Sequence, residues 1–153
     1  MAYPHQIHKN AIPHCDDFTQ NGYTKEEMKL VNETHKILDD YSIGISSTAV
    51  RIPVIGGHSE SINISLENRT NVKEIKEVLK NSFGIVVEDD IVNNVYPMPL
   101  NCEGSDEVYV GRIRKDLYEE NTFNLWVVSD NLRKGAATNT IQIAQHLINN
   151  SIL

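Results

Sequence analysis

The sequence has no apolar run long enough to span a bilayer, so a transmembrane helix is not expected. No basic segment followed by an apolar stretch opens it, so no secretory signal is expected and the cytoplasm is the expected compartment. Cysteine is scarce: the two, Cys15 and Cys102, lie far apart and lack metal-type spacing. Free thiols in a reducing compartment are the simplest reading. Positive charge is also short. Lys and Arg number 14 against 21 Asp and Glu, for a formal net charge of −7, which argues against nucleic acid or an anionic membrane as partner. Missing as well are a P-loop, a GxGxxG fingerprint, a nucleophile elbow, an internal repeat and a low-complexity tract.

What is present suits one domain over residues 1–153, with 40% hydrophobic and 23% charged residues and length enough for a core without staples. The first 23 residues hold His5, His8 and His14 beside Cys15. These are zinc-type ligands, but their spacing fits no standard zinc pattern and no second pair completes one, so no metal is expected. Thr24-Lys-Glu-Glu27 is a capping box. Met28, Val31, His35 and Leu38 then recur at helical spacing and predict a helix over about 24–39. Glu26 and Lys29 share a face of it, either as a solvated i,i+3 pair or as charges aimed at a ligand's amino and phosphate groups.

The most suggestive stretch is Thr48-Ala-Val-Arg51-Ile-Pro-Val-Ile-Gly-Gly-His58-Ser-Glu60. β-branched and apolar residues over 43–54 predict a strand that ends near Pro53. Arg51 carries the side chain best shaped to grip a carboxylate with two parallel hydrogen bonds. His58 carries the one whose ordinary titration lies near working pH. An odd number of positions separates them, so on one regular strand they would face opposite sides, and the Gly56-Gly57 break permits a turn or bulge that reunites them. The pair suggests a site that holds an acidic metabolite and moves a proton on it. Arg51 as an exposed strand end and His58 as a turn histidine is the plainer alternative.

Further along, Ile62, Ile64 and Leu66 alternate, predicting a strand over Ser61–Leu66. Asn71 can cap a helix to about Ser82 with Val72, Ile75, Val78 and Leu79 inward, and Gly84–Val87 reads as a short buried strand. Residues 88–106 are acidic and turn-rich, a long loop of the kind that carries function or an interface. Glu107–Arg114 and Thr122–Ser129 are strands joined by a charged turn, with Trp126 as core or interface. Asp130 and Asn131 open a last helix over about 131–149, with Ala137, Ile141, Ala144 and Ile148 along one face. The expected fold is α+β: a mixed, mainly antiparallel sheet with helices on one face. The other face, apolar and carrying Trp126, would be buried in a homodimer.

Taken together, four ordered runs resemble the C-terminal domain of the aspartate-semialdehyde dehydrogenase family. They are Gly22-Tyr-Thr-Lys-Glu26-Glu27-Met-Lys29-Leu-Val-Asn-Glu-Thr34, Arg51-Ile-Pro-Val-Ile-Gly-Gly-His58-Ser-Glu-Ser61, Val110-Gly-Arg-Ile-Arg-Lys-Asp116 and Leu125-Trp-Val-Val-Ser-Asp-Asn131-Leu-Arg-Lys-Gly-Ala-Ala137. The resemblance covers nearly the whole chain. It implies a glyceraldehyde-phosphate-dehydrogenase-like dimerisation fold and NADPH-dependent reduction of aspartyl phosphate to aspartate semialdehyde, with release of phosphate, on the route to lysine, threonine and methionine. It assigns Arg51 to the substrate α-carboxylate, Glu26 to its α-amino group, Lys29 to phosphate, His58 to general acid–base work and Asn131 to the nicotinamide carboxamide of NADP. In the implied chemistry a cysteine thiolate attacks the acyl phosphate, and the thioester formed is reduced to a hemithioacetal that collapses to the aldehyde.

Departures from the family pattern matter as much. The family's dinucleotide-binding half, with its glycine fingerprint and nucleophilic cysteine, precedes the matched region, so the expectation is a substrate-side half that does not turn over alone. Cys15 stands where relatives commonly carry an apolar residue, Cys102 matches no catalytic motif, and Ala49 replaces a cysteine common just before the arginine. A non-catalytic dimerisation or binding module that pairs with a full-length relative is the alternative. The related reductase of N-acetylglutamyl phosphate fits less well, because the E-E-x-K and D-N-L-R-K-G-A-A runs favour the aspartyl enzyme.

Overall fold

The computed structural model describes residues 3–152. The chain divides into two compact units, one ending at Pro53 and the other beginning at Val54.

In the first unit, α1 runs from Lys25 to Leu38, in agreement with the expected bounds. Thr24 is its N-cap, and both arms of the capping box are present. The Thr24 hydroxyl accepts from Glu27 N–H at 3.2 Å, and Glu27 Oε2 accepts from Thr24 N–H at 2.7 Å. Asp39 ends the helix in the left-handed region with φ 51°. The run 43–54 is not the strand expected. It is extended, and burial alternates from Ile43 to Val50, but it pairs only at Arg51, which bridges Ile12. Two residues on, Pro53 has no N–H for the next bonded pair. Two residues back, the Ala49 N–H goes to Glu27 Oε1 at 2.8 Å. The ladder is thus stopped on both sides of one bridge.

The second unit is built on a four-stranded mixed sheet. Its strands are β1 (His58–Ser65), β2 (Ile85–Val87), β3 (Val108–Lys115) and β4 (Thr122–Ser129), in the spatial order β1-β4-β3-β2. β4 runs antiparallel to β1 and β3, while β2 pairs parallel to β3. This is the expected mixed, mainly antiparallel α+β arrangement. The helix α2 (Val72–Lys80), capped by Asn71, packs against β2 and β3. Val72, Ile75 and Leu79 are half-buried, but Val78, expected inward, is 67% exposed. Phe123, Val110, Ile113 and Val128 are the buried apolar side chains of the strands.

The 88–106 segment is a cover for the sheet. It contains the short helix α3 (Pro99–Cys102), and the Cys102 side chain is buried. The Trp126 indole N–H donates to the Pro97 carbonyl at 2.9 Å. Opposite Trp126 in the register, Gly111 leaves no room for a side chain: a Cβ there would overlap the Glu88 carbonyl oxygen and lie 2.5 Å from Pro97 Cδ. A bulge follows between Gly111 and Arg114, with Arg112 at φ 52°. The Asp89 carboxylate holds it, accepting from Arg112 N–H at 2.8 Å, Ile113 N–H at 3.2 Å and Lys76 Nζ at 2.7 Å.

The last helix begins later than expected. Arg133–Ala137 form a wide, π-type turn with non-helical angles at Ala136, and regular α4 spans Thr138–Asn149. The small run Gly135-Ala136-Ala137 has poor helix-holding power at Gly135 and allows the kink. On α4, Thr138, Asn139, Gln142 and Leu147 are half-buried, while Ile141 and Ile148, expected along one face, are each 64% exposed. No helix among the described residues is long and apolar enough to cross a membrane.

Candidate functional site

The singled-out residues fall into two groups: Glu26, Lys29 and Arg51 lie in the first unit, His58 and Asn131 in the second.

In the first unit, the two adjacent glutamates of α1 have different surroundings. Glu27 is buried, and its two oxygens hold Thr24 and Ala49. These hydrogen bonds, the one from the Thr24 backbone foremost, keep its carboxyl below the usual range. It is occupied as a structural acceptor. Glu26 points outward and pairs with Lys29, whose Nζ donates to Glu26 Oε2 at 2.9 Å, with side chains 46% and 54% exposed. The Glu26 carboxylate holds the Lys29 ammonium above its ordinary value. A ligand bearing an ammonium and an anionic group could take one charge each. Arg51 is fixed by its backbone: it exchanges both hydrogen bonds with Ile12, at 2.8 and 2.9 Å. Its guanidinium lies over the Tyr3 ring, 5.1 Å from the centroid. Tyr3 was not singled out in the sequence. At the start of the unit, His14 stacks on Phe18 with centroids 4.5 Å apart.

In the second unit, His58 is the first residue of β1 and pairs with Ser129, the last of β4. It is exposed at the sheet's end. Gly57, just before it, has φ 93°, a conformation that suits glycine. The Gly57 N–H donates to Asn131 Oδ1 at 2.8 Å. The backbone thus breaks at Gly57 just before β1, and Asn131 holds that break in place. Asn131 is carried by a turn that Asp130 organises. Asp130 is buried, 8% exposed. One of its oxygens accepts from Leu132 and Arg133 N–H at 2.8 Å each, and the other from Gly104 N–H at 2.8 Å. The bond from Gly104 leads the contacts that keep its carboxyl below the ordinary range. The Asp130 carbonyl accepts Gly135 N–H at 3.1 Å, and a Cβ on Gly135 would stand 3.6 Å from His58 Cδ2 and Nε2. Arg133 is tied down in turn by a two-point pair with Asp106, at 2.6 and 2.9 Å.

The sequence presented Asp130 only as the residue opening a helix, and it gave no sign of the tie from Gly57 to Asn131, 74 positions away. An aspartate followed by N–H groups two and three residues on is a recognisable turn signature, and that signal could have drawn attention to Asp130. An open groove on the sheet, lined by Ser61, Tyr96, Met98, Arg112, Arg114 and Trp126 among others, contains none of the five residues.

Residues 2–134 match the family model described as semialdehyde dehydrogenase, dimerisation domain. An aspartate-semialdehyde dehydrogenase of Aquifex aeolicus is 54% identical over all 153 residues, which span 45% of its length. One from Helicobacter pylori is 50% identical over 99% of the chain and 43% of its own length. Among solved structures, aspartate semialdehyde dehydrogenase II of Vibrio cholerae, complexed with ASA, superposes with a TM-score of 0.91 at 41% identity, over 97% of this chain and 44% of that one. The Candida albicans enzyme with NADP gives 0.73 at 28% identity, over 96% and 46%. The chain thus spans less than half the length of these relatives.

Proposed function

The chain belongs to the semialdehyde dehydrogenase dimerisation-domain family, and from that premise we propose that it supplies the substrate-holding and proton-moving side of an aspartate-semialdehyde dehydrogenase. The substrate would be aspartyl phosphate and the products aspartate semialdehyde and phosphate, in lysine, threonine and methionine biosynthesis in the cytoplasm. The observation that carries this reading is the exposed imidazole of His58 at the end of β1, with its preceding glycine anchored, in a chain that is 54% identical throughout its length to a named member of that enzyme class.

Each residue has a part that its chemistry suits. Arg51, with its backbone fixed, offers a guanidinium to the α-carboxylate in a two-point grip. Glu26 receives the α-ammonium and Lys29 the phosphate, so their mutual ion pair opens as substrate enters. His58 takes the proton of a cysteine thiol as it attacks the acyl group, and later holds a proton at the oxygen or sulfur of the tetrahedral adduct. That cysteine would be supplied from outside these 153 residues: Cys102 is buried, which pushes its thiol up, and Cys15 matches no catalytic motif of the family.

NADP fits at one point: Asn131 Oδ1 is committed to Gly57, which leaves its Nδ2 donors for the carbonyl of a carboxamide. The dinucleotide supplies hydride when bound, and a dinucleotide-binding segment outside these residues would hold most of it. The assembly we propose is a homodimer, as the family's description suggests.

The test joins these residues to a dinucleotide-binding segment with its cysteine and follows phosphate-dependent oxidation of aspartate semialdehyde, with added NADP as oxidant, by the appearance of NADPH absorbance. His58→Ala is expected to lower kcat by about 10²–10⁴. Arg51→Lys is expected mainly to raise KM for the semialdehyde, because the planar fork is lost. Near-normal turnover in the His58 variant overturns its role. No activity in the unaltered assembly favours a dimerisation module without catalysis.

A further inference from the structure

We propose that Asn131 is a positioning residue for His58, acting through the backbone of Gly57. Gly57 precedes the first ladder pair of β1, which is His58 with Ser129. No strand therefore offers its N–H an acceptor, and the Asn131 side-chain carbonyl supplies one at 2.8 Å. The approach is close on several sides. A Cβ on Gly56 would lie 3.5 Å from Asn131 Oδ1, and one on Gly57 would lie 3.2 Å from the Ser129 carbonyl oxygen. The same turn reaches the other end of the histidine. Asp130, immediately before Asn131, accepts the Gly135 N–H and thereby sets Gly135 beside the imidazole edge that carries Nε2.

One turn thus anchors the backbone root of His58, through Gly57 and Asn131, and brings Gly135 to where an added Cβ would just touch the imidazole. A general base must stay within a fraction of an ångström of its working position, and such precision comes from neighbours that lock it. The lock also divides the work of Asn131. Its Oδ1 serves the protein, and only Nδ2 remains for a ligand. The catalytic meaning rests on the role proposed above for His58, but the lock itself is a property of this chain and is measurable without turnover.

The experiment is ¹⁵N and histidine-ring NMR on the 153-residue chain. In the unaltered protein, the Gly57 amide is expected to exchange at least about tenfold more slowly than that of Gly56, as a hydrogen-bonded amide does. Asn131→Ala is expected to abolish that protection and to shift or sharpen the His58 ring signals, while amides of Val110 and Val128 keep theirs. Asn131→Asp keeps an acceptor oxygen at the same place and is expected to restore Gly57 protection. Three results overturn the proposal: an unprotected Gly57 in the parent, unchanged Gly57 and His58 signals in Asn131→Ala, or Asn131→Asp failing to protect Gly57. Should Asn131→Ala not fold, the parent and the aspartate variant still decide. Normal turnover in the joined His58→Ala enzyme with the NMR signature intact would overturn the catalytic reading and leave the lock standing.

Discussion

Glu26 and Glu27 are the same residue type, one position apart, with opposite employment. Glu27 sits at the third position of the capping box, so its side chain turns back to Thr24 and its second oxygen takes Ala49. Glu26 projects outward to Lys29. The capping box was legible because it depends on residues three apart. The Ala49 bond was not, because it joins positions 22 apart. Two outcomes follow at this scale. Thr24→Ala removes the cap acceptor of a fully buried hydroxyl, and chemical denaturation is expected to show a loss of about 1 kcal/mol. Glu27 has a folded-state pKa below its ordinary 4.5, so its stabilising effect is complete above that value and is lost as pH falls through the folded one. Denaturation midpoints of Glu27→Gln are therefore expected to fall less steeply below pH 4.5 than those of the parent; parallel curves would deny Glu27 this part.

At the scale of elements, α1 and α2 emerged close to their expected bounds by their caps and β3 and β4 by their apolar residues, while β1, expected from Ser61 by alternation, begins three residues earlier at His58. The failures share a cause. The 43–54 run had strand composition but lost its ladder to Pro53 and to a side chain of α1. The start of α4 is displaced past a turn at Asp130, whose carboxylate takes the local Leu132 and Arg133 N–H groups but is also tied to Gly104, 26 positions away. Likewise the bulge in β3 depends on Asp89, which the sequence placed in a loop. Gly111 tests that bulge. A methyl there would drive the backbone of Glu88 and the ring of Pro97 off the sheet, so Gly111→Ala is expected to cost about 3 kcal/mol or more. That corresponds to a melting temperature lowered by roughly 6–12 °C in a domain of this size, and an unchanged melting temperature would mean that Glu88 and Pro97 are free to move. The turn after β3 carries a second test. Asp116 is held down to about 2, chiefly by the Tyr118 and Glu119 N–H groups and then by Asn124, against an ordinary value of 3.8. Its contribution is present above pH 3.8 and is lost between there and about 2, so Asp116→Asn should flatten the acid limb of stability in that window.

For the whole molecule, the question is which surface meets another copy. Trp126 was expected in the core or an interface; it is half-buried, and its indole N–H is bonded to Pro97 on the side covered by the 88–106 segment. Successive strand residues face opposite sides, so Leu125 and Val127 lie on the other face. The register sets Ile62 opposite Leu125 and Glu60 opposite Val127, so Ile62 and Ile64 join them there. These four are only partly buried within the unit, with Ile64 39% exposed. A half-open apolar strip on a sheet is costly in water and gains most from a matching strip on a second copy, by isologous packing. Sedimentation equilibrium at micromolar concentration is therefore expected to give twice the 17.3 kDa of one chain. Ile64→Lys places a charge where the isolated unit can solvate it but a dry interface cannot. It is expected to leave the melting behaviour of the monomer little changed and to shift the equilibrium to 17.3 kDa. A monomeric parent would remove the dimer from the reading altogether. A variant that remains dimeric would move the interface to another surface, and the exposed Ile141 and Ile148 of α4 would be the next to substitute.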